Sequence, residues 1–193
     1  MQMVPARARV HAQLISSAEL RGETRLDTAD GHSVTCGLDV SAINRYCIES
    51  YMDLDLATAS HKALSEPFEA LVIDLQGAAD RFCEADSTEA GEPDAYDGLG
   101  WQRLLFPQNV GEVFATAAGQ VDAIAFWFDL DLPGGGTLCT GPGGSGSGGS
   151  HWKQAATVVA LGDGRAGRTV AVGEKVAVRG AVVDSCVRFS VGE

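Results

Sequence analysis

Val121-Asp122-Ala123-Ile124-Ala125-Phe126-Trp127-Phe128-Asp129-Leu130-Asp131-Leu132 alternates along its length. Ile124, Phe126, Phe128, Leu130 and Leu132 fall on one side of an extended chain. Ala123, Ala125 and Trp127 fall on the other, followed there by Asp129 and Asp131. Successive side chains of a strand point to opposite faces. The stretch therefore predicts a strand buried on both faces in its first half and on one face in its second. Asp129 and Asp131 could serve together as acid and base, but two acids on one face at a strand end read more simply as an exposed tip.

Upstream, Val4 to Ile15 shows the same period. Val4, Ala6, Ala8, Val10, Ala12 and Leu14 alternate with Arg7, Arg9, His11 and Gln13, the pattern of a strand with one wet face. Asp30-Gly31 supplies a turn, with Ser33–Leu38 as a returning strand. Between Asn44 and Ala63 the pattern is mixed and predicts a short helix or an irregular arm. Glu66-Pro67 forces an extended backbone before the proline, and Phe68–Leu75 reads as a strand. Downstream, Trp152–Leu161, Arg168–Val172, Lys175–Arg179 and Val182–Val191 read as strands. Their turns fall at Gly162-Asp163-Gly164, Gly173-Glu174 and Gly180. Short strands joined by glycine turns predict a mainly β fold, an antiparallel β-barrel or sandwich with a short irregular or helical arm.

Two segments depart from this grammar. Gly77 to Gly100 is acidic and poor in aliphatics; such a sequence buries too little surface to offset its ordering entropy, which predicts a flexible insertion. Trp101–Phe106 then returns to apolar sequence that can dock on the core. Residues 133–150 form a Gly/Ser-rich loop with a short anchor at Thr137–Thr140.

The chain has 193 residues, 45% of them hydrophobic and 21% charged, ordinary values for one globular domain. A formal net charge of -12 argues against a nucleic-acid binder that works through phosphate contacts. The apolar runs are too short to span a bilayer, and the first residues lack the apolar stretch of a secretory signal. Five scattered cysteines without a C-x-x-C pair give no zinc signature and suit reduced thiols in the cytoplasm or nucleus. His11, His32, His61 and His151 show no metal-ligand spacing. Gly141-Pro142-Gly143-Gly144-Ser145-Gly146 matches G-x-G-x-x-G formally, but a strand rather than a helix follows it.

Ser150-His151-Trp152-Lys153-Gln154 closes the Gly/Ser loop and opens an apolar run. In order with its neighbours it resembles the C-terminal β-barrel of the protein arginine methyltransferases. Val4–Val10 resembles the crossing into the first barrel strand, and Leu64-Ser65-Glu66-Pro67-Phe68-Glu69 a later strand start. Val121–Leu130 resembles the long central strand, and Thr137–Pro142 the segment ahead of the signature loop. Ser150–Gln154 resembles the Thr-His-Trp loop itself, and Gly173-Glu174-Lys175-Val176 a turn in the closing strands. Ser150 stands where Thr is usual and Cys139 where Ser is usual. The family's helical dimerisation arm is not evident between Gly37 and Ser65.

The resemblance implies that residues 1–193 form the substrate-binding barrel of an enzyme that methylates protein arginine from S-adenosylmethionine. The cofactor domain, which also supplies the acids that grip the guanidinium, would lie N-terminal to Val4 and is absent here. The chain alone is then catalytically incomplete and binds no cofactor. His151 and Trp152 would form the wall of the substrate pocket and the face toward the cofactor domain. His151 is expected near the surface and Trp152 partly buried at the start of its strand. No residue of this chain is assigned a catalytic, cofactor-binding or metal-ligating role. The implied partners are arginine-containing protein substrates, the enzyme's own cofactor domain and a second copy in a homodimer, with no nucleic acid and no membrane. A non-catalytic β-barrel that binds proteins or acts as a scaffold accounts for the same strands without a cofactor domain.

Overall fold

The computed structural model describes residues 2–24, 34–35, 38–39, 51–80, 109–143, 152–159, 167–183 and 186–192. The described chain is mainly β, and every strand pair in it is antiparallel.

The alternating N-terminal stretch forms β1 (Arg7–Ser16), and the decisive apolar stretch forms β9 (Ala123–Asp131). They lie side by side, with Val10 opposite Phe128 and Leu14 opposite Ile124. On the other side of β1 lie β5 (Lys62–Ala63) and β6 (Phe68–Asp74), the latter with a bulge at Val10/His11. On the other side of β9 lies β11 (Gln154–Val158), which pairs in turn with the edge strand β4 (Tyr51–Leu54). The end of β9 folds back as β10 (Thr137–Cys139). The reversal passes through Gly134 and Gly135 at φ 79 and 83, left-handed conformations that a side chain would strain. A second sheet holds β7 (Asn109–Phe114), β13 (Lys175–Val183) and β14 (Cys186–Val191), with β13 in the middle. Short ladders join β8 (Gly119–Gln120) to β12 (Thr169–Val170), and β2 (Val34–Thr35) to β3 (Leu38–Asp39).

The main core takes Val10, Ala12, Leu14, Leu71 and Ile124 from the larger sheet. Val113, Val176, Val178 and Phe189 come from the smaller one. Phe126 and Phe189 meet across it, ring centroids 5.2 Å apart. A second cluster covers the opposite face of the larger sheet. It joins Ile15, Ala123, Ala125, Trp127 and Ala156 to Leu20, Leu54 and Leu56. The two sides of β9 therefore face the two clusters as its alternation predicts. Among the described residues the two principal sheets stay separate, so the packing is that of a sandwich with no closed ring of strands.

Several expectations need correction. Gly180 is not a turn: β13 runs through it, and Gly180 lies opposite Phe189 and Asn109. A Cβ there would stand 3.0 Å from Phe189 Cε1 and 3.3 Å from Leu71 Cγ, so glycine serves close approach within a strand. Ser33–Leu38 is not one returning strand; Val34–Thr35 pairs locally with Leu38–Asp39. In the 51–63 part of the expected arm the chain forms β4, a turn and β5. The helix lies instead at α1 (Ala18–Thr24). Residues 75–80 are helical and Ala78 is buried, so the first part of the acidic segment packs on the domain. The remainder of that segment, residues 81–100, lies outside the described residues, as do Asp30-Gly31, Trp101–Phe106 and Gly162-Asp163-Gly164.

Candidate functional site

The loop between β10 and β11 is held at both ends by backbone and side-chain hydrogen bonds. Thr140, just after β10, donates its N–H to Phe128 O at 3.0 Å, and its hydroxyl accepts from Phe128 N–H at 3.1 Å. Gln154, the first residue of β11, is 7% exposed. Its Nε2 donates to Thr140 O at 2.7 Å, and its Oε1 accepts from Leu56 N–H at 2.9 Å. A buried amide with both ends satisfied holds its chain segments in one register. Gly141 follows Thr140 because a Cβ there would lie 2.6 Å from Trp127 Nε1.

Trp152 lies two residues ahead of β11 rather than at its first position, and 51% of it is exposed. Its ring meets that of Phe128 at 5.4 Å and 55°. It presents a large amphipathic surface at the end of the strands instead of anchoring the core. His151, the other residue singled out for the pocket wall, lies outside the described residues.

On the second face of the larger sheet the polar residues of β1 meet the acids at the end of β9. His11 Nε2 lies 3.1 Å from Asp129 Oδ2, and the imidazole stacks over Trp127 at 6.2 Å and 25°. Arg9 Nη2 donates to Asp131 Oδ1 at 2.7 Å. Asp129 and Asp131 thus face separate nitrogen partners on β1 instead of each other. Cys139 lies directly opposite Asp129, and burial, reinforced by that carboxylate, pushes its thiol up. Such a thiol stays protonated and is a poor nucleophile at neutral pH. The alternation of Arg9 and His11 in β1 signalled a polar face, but their acidic partners depend on register.

Asp122, 5% exposed, precedes β9 and is a buried carboxylate. It accepts from Ser16 Oγ at 3.1 Å and Ser17 N–H at 2.8 Å. Arg21 of α1 grips both its oxygens, through Nε at 2.9 Å and Nη2 at 2.8 Å, the paired geometry that suits a guanidinium. Between β12 and β13 the Gly173-Glu174 turn forms as predicted, with Gly173 at φ 81. The Ala171 N–H and the Arg168 guanidinium hold the Glu174 carboxyl below its ordinary range.

Carboxylates also line two open clefts. One, of about 250 Å³, is bordered by Glu19, Glu23, Asp53 and Asp55 with no Lys or Arg in its lining. The other, of about 500 Å³, sets Asp74, Asp80 and Asp131 against Arg7. Among the described residues no three His, Cys, Asp or Glu side chains are arranged to hold a metal ion, and no described helix is long and apolar enough to cross a membrane.

No protein-family model matches the chain. An arginine N(omega)-methyltransferase of Streptomyces achromogenes subsp. streptozoticus is 32% identical over 152 residues, 79% of this chain and 33% of that protein. The structure of the Trypanosoma brucei PRMT1 enzyme–prozyme heterotetrameric complex with AdoHcy superposes with a TM-score of 0.59. It covers 92% of this chain and 46% of that one at 15% identity, a likeness of fold. The chain thus spans about a third of the curated relative and under half of the structural one. Together with the ordered motifs around Trp152, these matches show that the chain belongs to the protein arginine methyltransferase family and corresponds to its C-terminal, barrel-like region.

Proposed function

We propose that this chain forms the substrate-side wall of an arginine methyltransferase and works only together with a part that binds S-adenosylmethionine. In the reaction a guanidino nitrogen attacks the methyl carbon of the sulfonium. The C–N bond forms, the C–S electron pair returns to sulfur, and the nitrogen releases a proton. A guanidinium is charged and planar, so the acceptor must be oriented and its charge localised before attack. The cofactor, and the acids that grip the guanidinium, belong in this reading to the length of the relatives that this chain does not span. His151 and Trp152 border the acceptor channel and face the cofactor domain.

The observation that carries the proposal is the half-exposed Trp152 ring, seated on Phe128 at the mouth of strands fastened by Gln154. An indole at a rigid strand end is a suitable wall for a flat cation, through its ring face and its apolar area. The acid-lined clefts fit the same cationic class of substrate. The Streptomyces relative is an arginine N(omega)-methyltransferase, a name that refers to arginine itself. Free arginine therefore stands beside protein arginine as a candidate, and a second copy of the chain as a candidate partner.

The test is methyl transfer from labelled S-adenosylmethionine by the protein that carries this chain, with free arginine and an arginine-rich peptide compared as acceptors. His151→Ala and Trp152→Ala should each lower kcat/KM on the order of a hundredfold, since small misplacements of reacting groups are costly. Their Tm should stay near that of the unsubstituted protein. Unchanged methylation by folded variants would overturn the role of the two residues. Binding of partner proteins without any methyl transfer would favour a scaffold.

A further inference from the structure

The His151-Trp152 loop leaves the sheet at Thr140 and returns at Gln154, and one side chain spans both points. Gln154 Nε2 bonds the carbonyl of Thr140, fourteen residues earlier in sequence. Its Oε1 takes the N–H of Leu56 in the turn after β4, ninety-eight residues earlier. Leu56 belongs to the second hydrophobic cluster, and Thr140 is 2% exposed. Gln154 therefore ties the departing and the returning arm of the loop to each other and both to the packed body of the sheet. Main-chain pairing fixes each arm to the sheet but not to the other arm: β11 pairs with β4 and β9, and β10 pairs with β9, so β10 and β11 have no ladder between them. Trp152 projects from a point two residues beyond this tie.

We infer that Gln154 is a positioning residue, setting the base of the 141–153 loop so that Trp152 stands in one place at the mouth of the strands. The inference rests on the reading of that loop as a substrate wall. A side-chain amide suits the task because it donates at one end and accepts at the other, matching a carbonyl and an N–H on two separate segments. An apolar residue of the same length would leave both backbone groups buried without partners. A carboxylate would keep the bond from Leu56 N–H but set a negative oxygen against the Thr140 carbonyl. Protonation would restore the missing donor, and burial favours the neutral acid. Asp53 and Asp55, which flank its cross-strand partner Leu54, act in the same direction.

The experiment uses protein labelled with 5-fluorotryptophan, the Trp152 resonance being assigned by Trp152→Phe. Gln154→Met should shift and broaden the Trp152 fluorine signal while the Trp127 signal keeps its position. In methyl-transfer assays the same variant should lose on the order of tenfold in kcat, with a smaller change in KM, because a looser wall misplaces the acceptor. Gln154→Glu should show the same defects at neutral pH. It should recover its Trp152 signal and its activity relative to unsubstituted protein as the pH is lowered. An unaltered Trp152 signal in Gln154→Met would overturn the inference. So would an activity loss that merely follows the unfolded fraction. If the unsubstituted protein transfers no methyl group, the functional reading fails. The fluorine spectra then still decide whether Gln154 sets the position of Trp152.

Discussion

The two ends of β9 carry acids that have met opposite environments. Before its first residue, Asp122 is 5% exposed and filled by a hydroxyl, a backbone N–H and an arginine fork. At its last residues, Asp129 and Asp131 are paired with His11 and Arg9, and their side chains keep 20% and 33% of their surface. A charge taken out of water must find all its partners in the protein, because an unpaired buried ion is expensive. A charge that water still reaches can do with one partner. The first end is therefore closed, joining α1 to the sheet. The second stays partly open to water, although Asp129 Oδ1 and Arg9 Nε are themselves buried.

The largest effect is expected at the closed end. Asp122→Ala removes the anchor of α1 and leaves the buried Ser17 N–H without its acceptor. Arg21 is 32% exposed and can turn partly to water, which limits the damage. The expected cost is about 3 kcal/mol, read as a fall in the urea midpoint with an unchanged slope. A cost well below 1 kcal/mol would remove the distinction between the two ends.

Asp131→Asn at the open end should cost no more than about 1 kcal/mol, since both members of its ion pair are about one-third exposed. Most of that cost should vanish in high salt, where exposed pairs are screened. A salt-independent loss as large as that of Asp122→Ala would mean that the open end is sealed as well.

What the sequence made legible follows the same division. The two faces of β9 could be read because alternation is a local signal, and burial on both sides follows from residue type alone. The helix α1 escaped notice because it is short and buries only Leu20, too little for a helical period to emerge. Its one clear signal is Ser17, whose hydroxyl accepts from Leu20 N–H as a helix cap. Gly180 reads as a turn in sequence because a turn glycine and a glycine under a phenylalanine ring look alike until the neighbouring strand is placed. The pairing of His11 with Asp129 and the Gln154 tie join residues 118, 14 and 98 positions apart. No local pattern carries such distances. Trp152 stood out in the sequence by its motif, whereas its seat on Phe128 required the fold.

The smallest effect is expected at a third carboxylate–arginine contact, which tests how far exposure alone governs these pairs. Glu174 accepts from Ala171 N–H and from Arg168, whose other nitrogen donates to Gly192 O. These bonds favour the ionised form and hold its folded pKa below the unfolded one. A group shifted in that direction adds stability above its unfolded pKa and loses it as the pH falls through the folded pKa. Glu174→Gln should therefore melt slightly below the unsubstituted protein at neutral pH. That difference should shrink as the solution is acidified through the carboxylate range and disappear once the acid is protonated in both states. The turn itself should persist in the variant, because Gly173 at φ 81 sets its backbone independently of the side chain. A gap in Tm that stayed constant from neutral to acid pH would show that Glu174 acts through shape rather than charge. The open contacts of this domain could then not be ranked by their exposure.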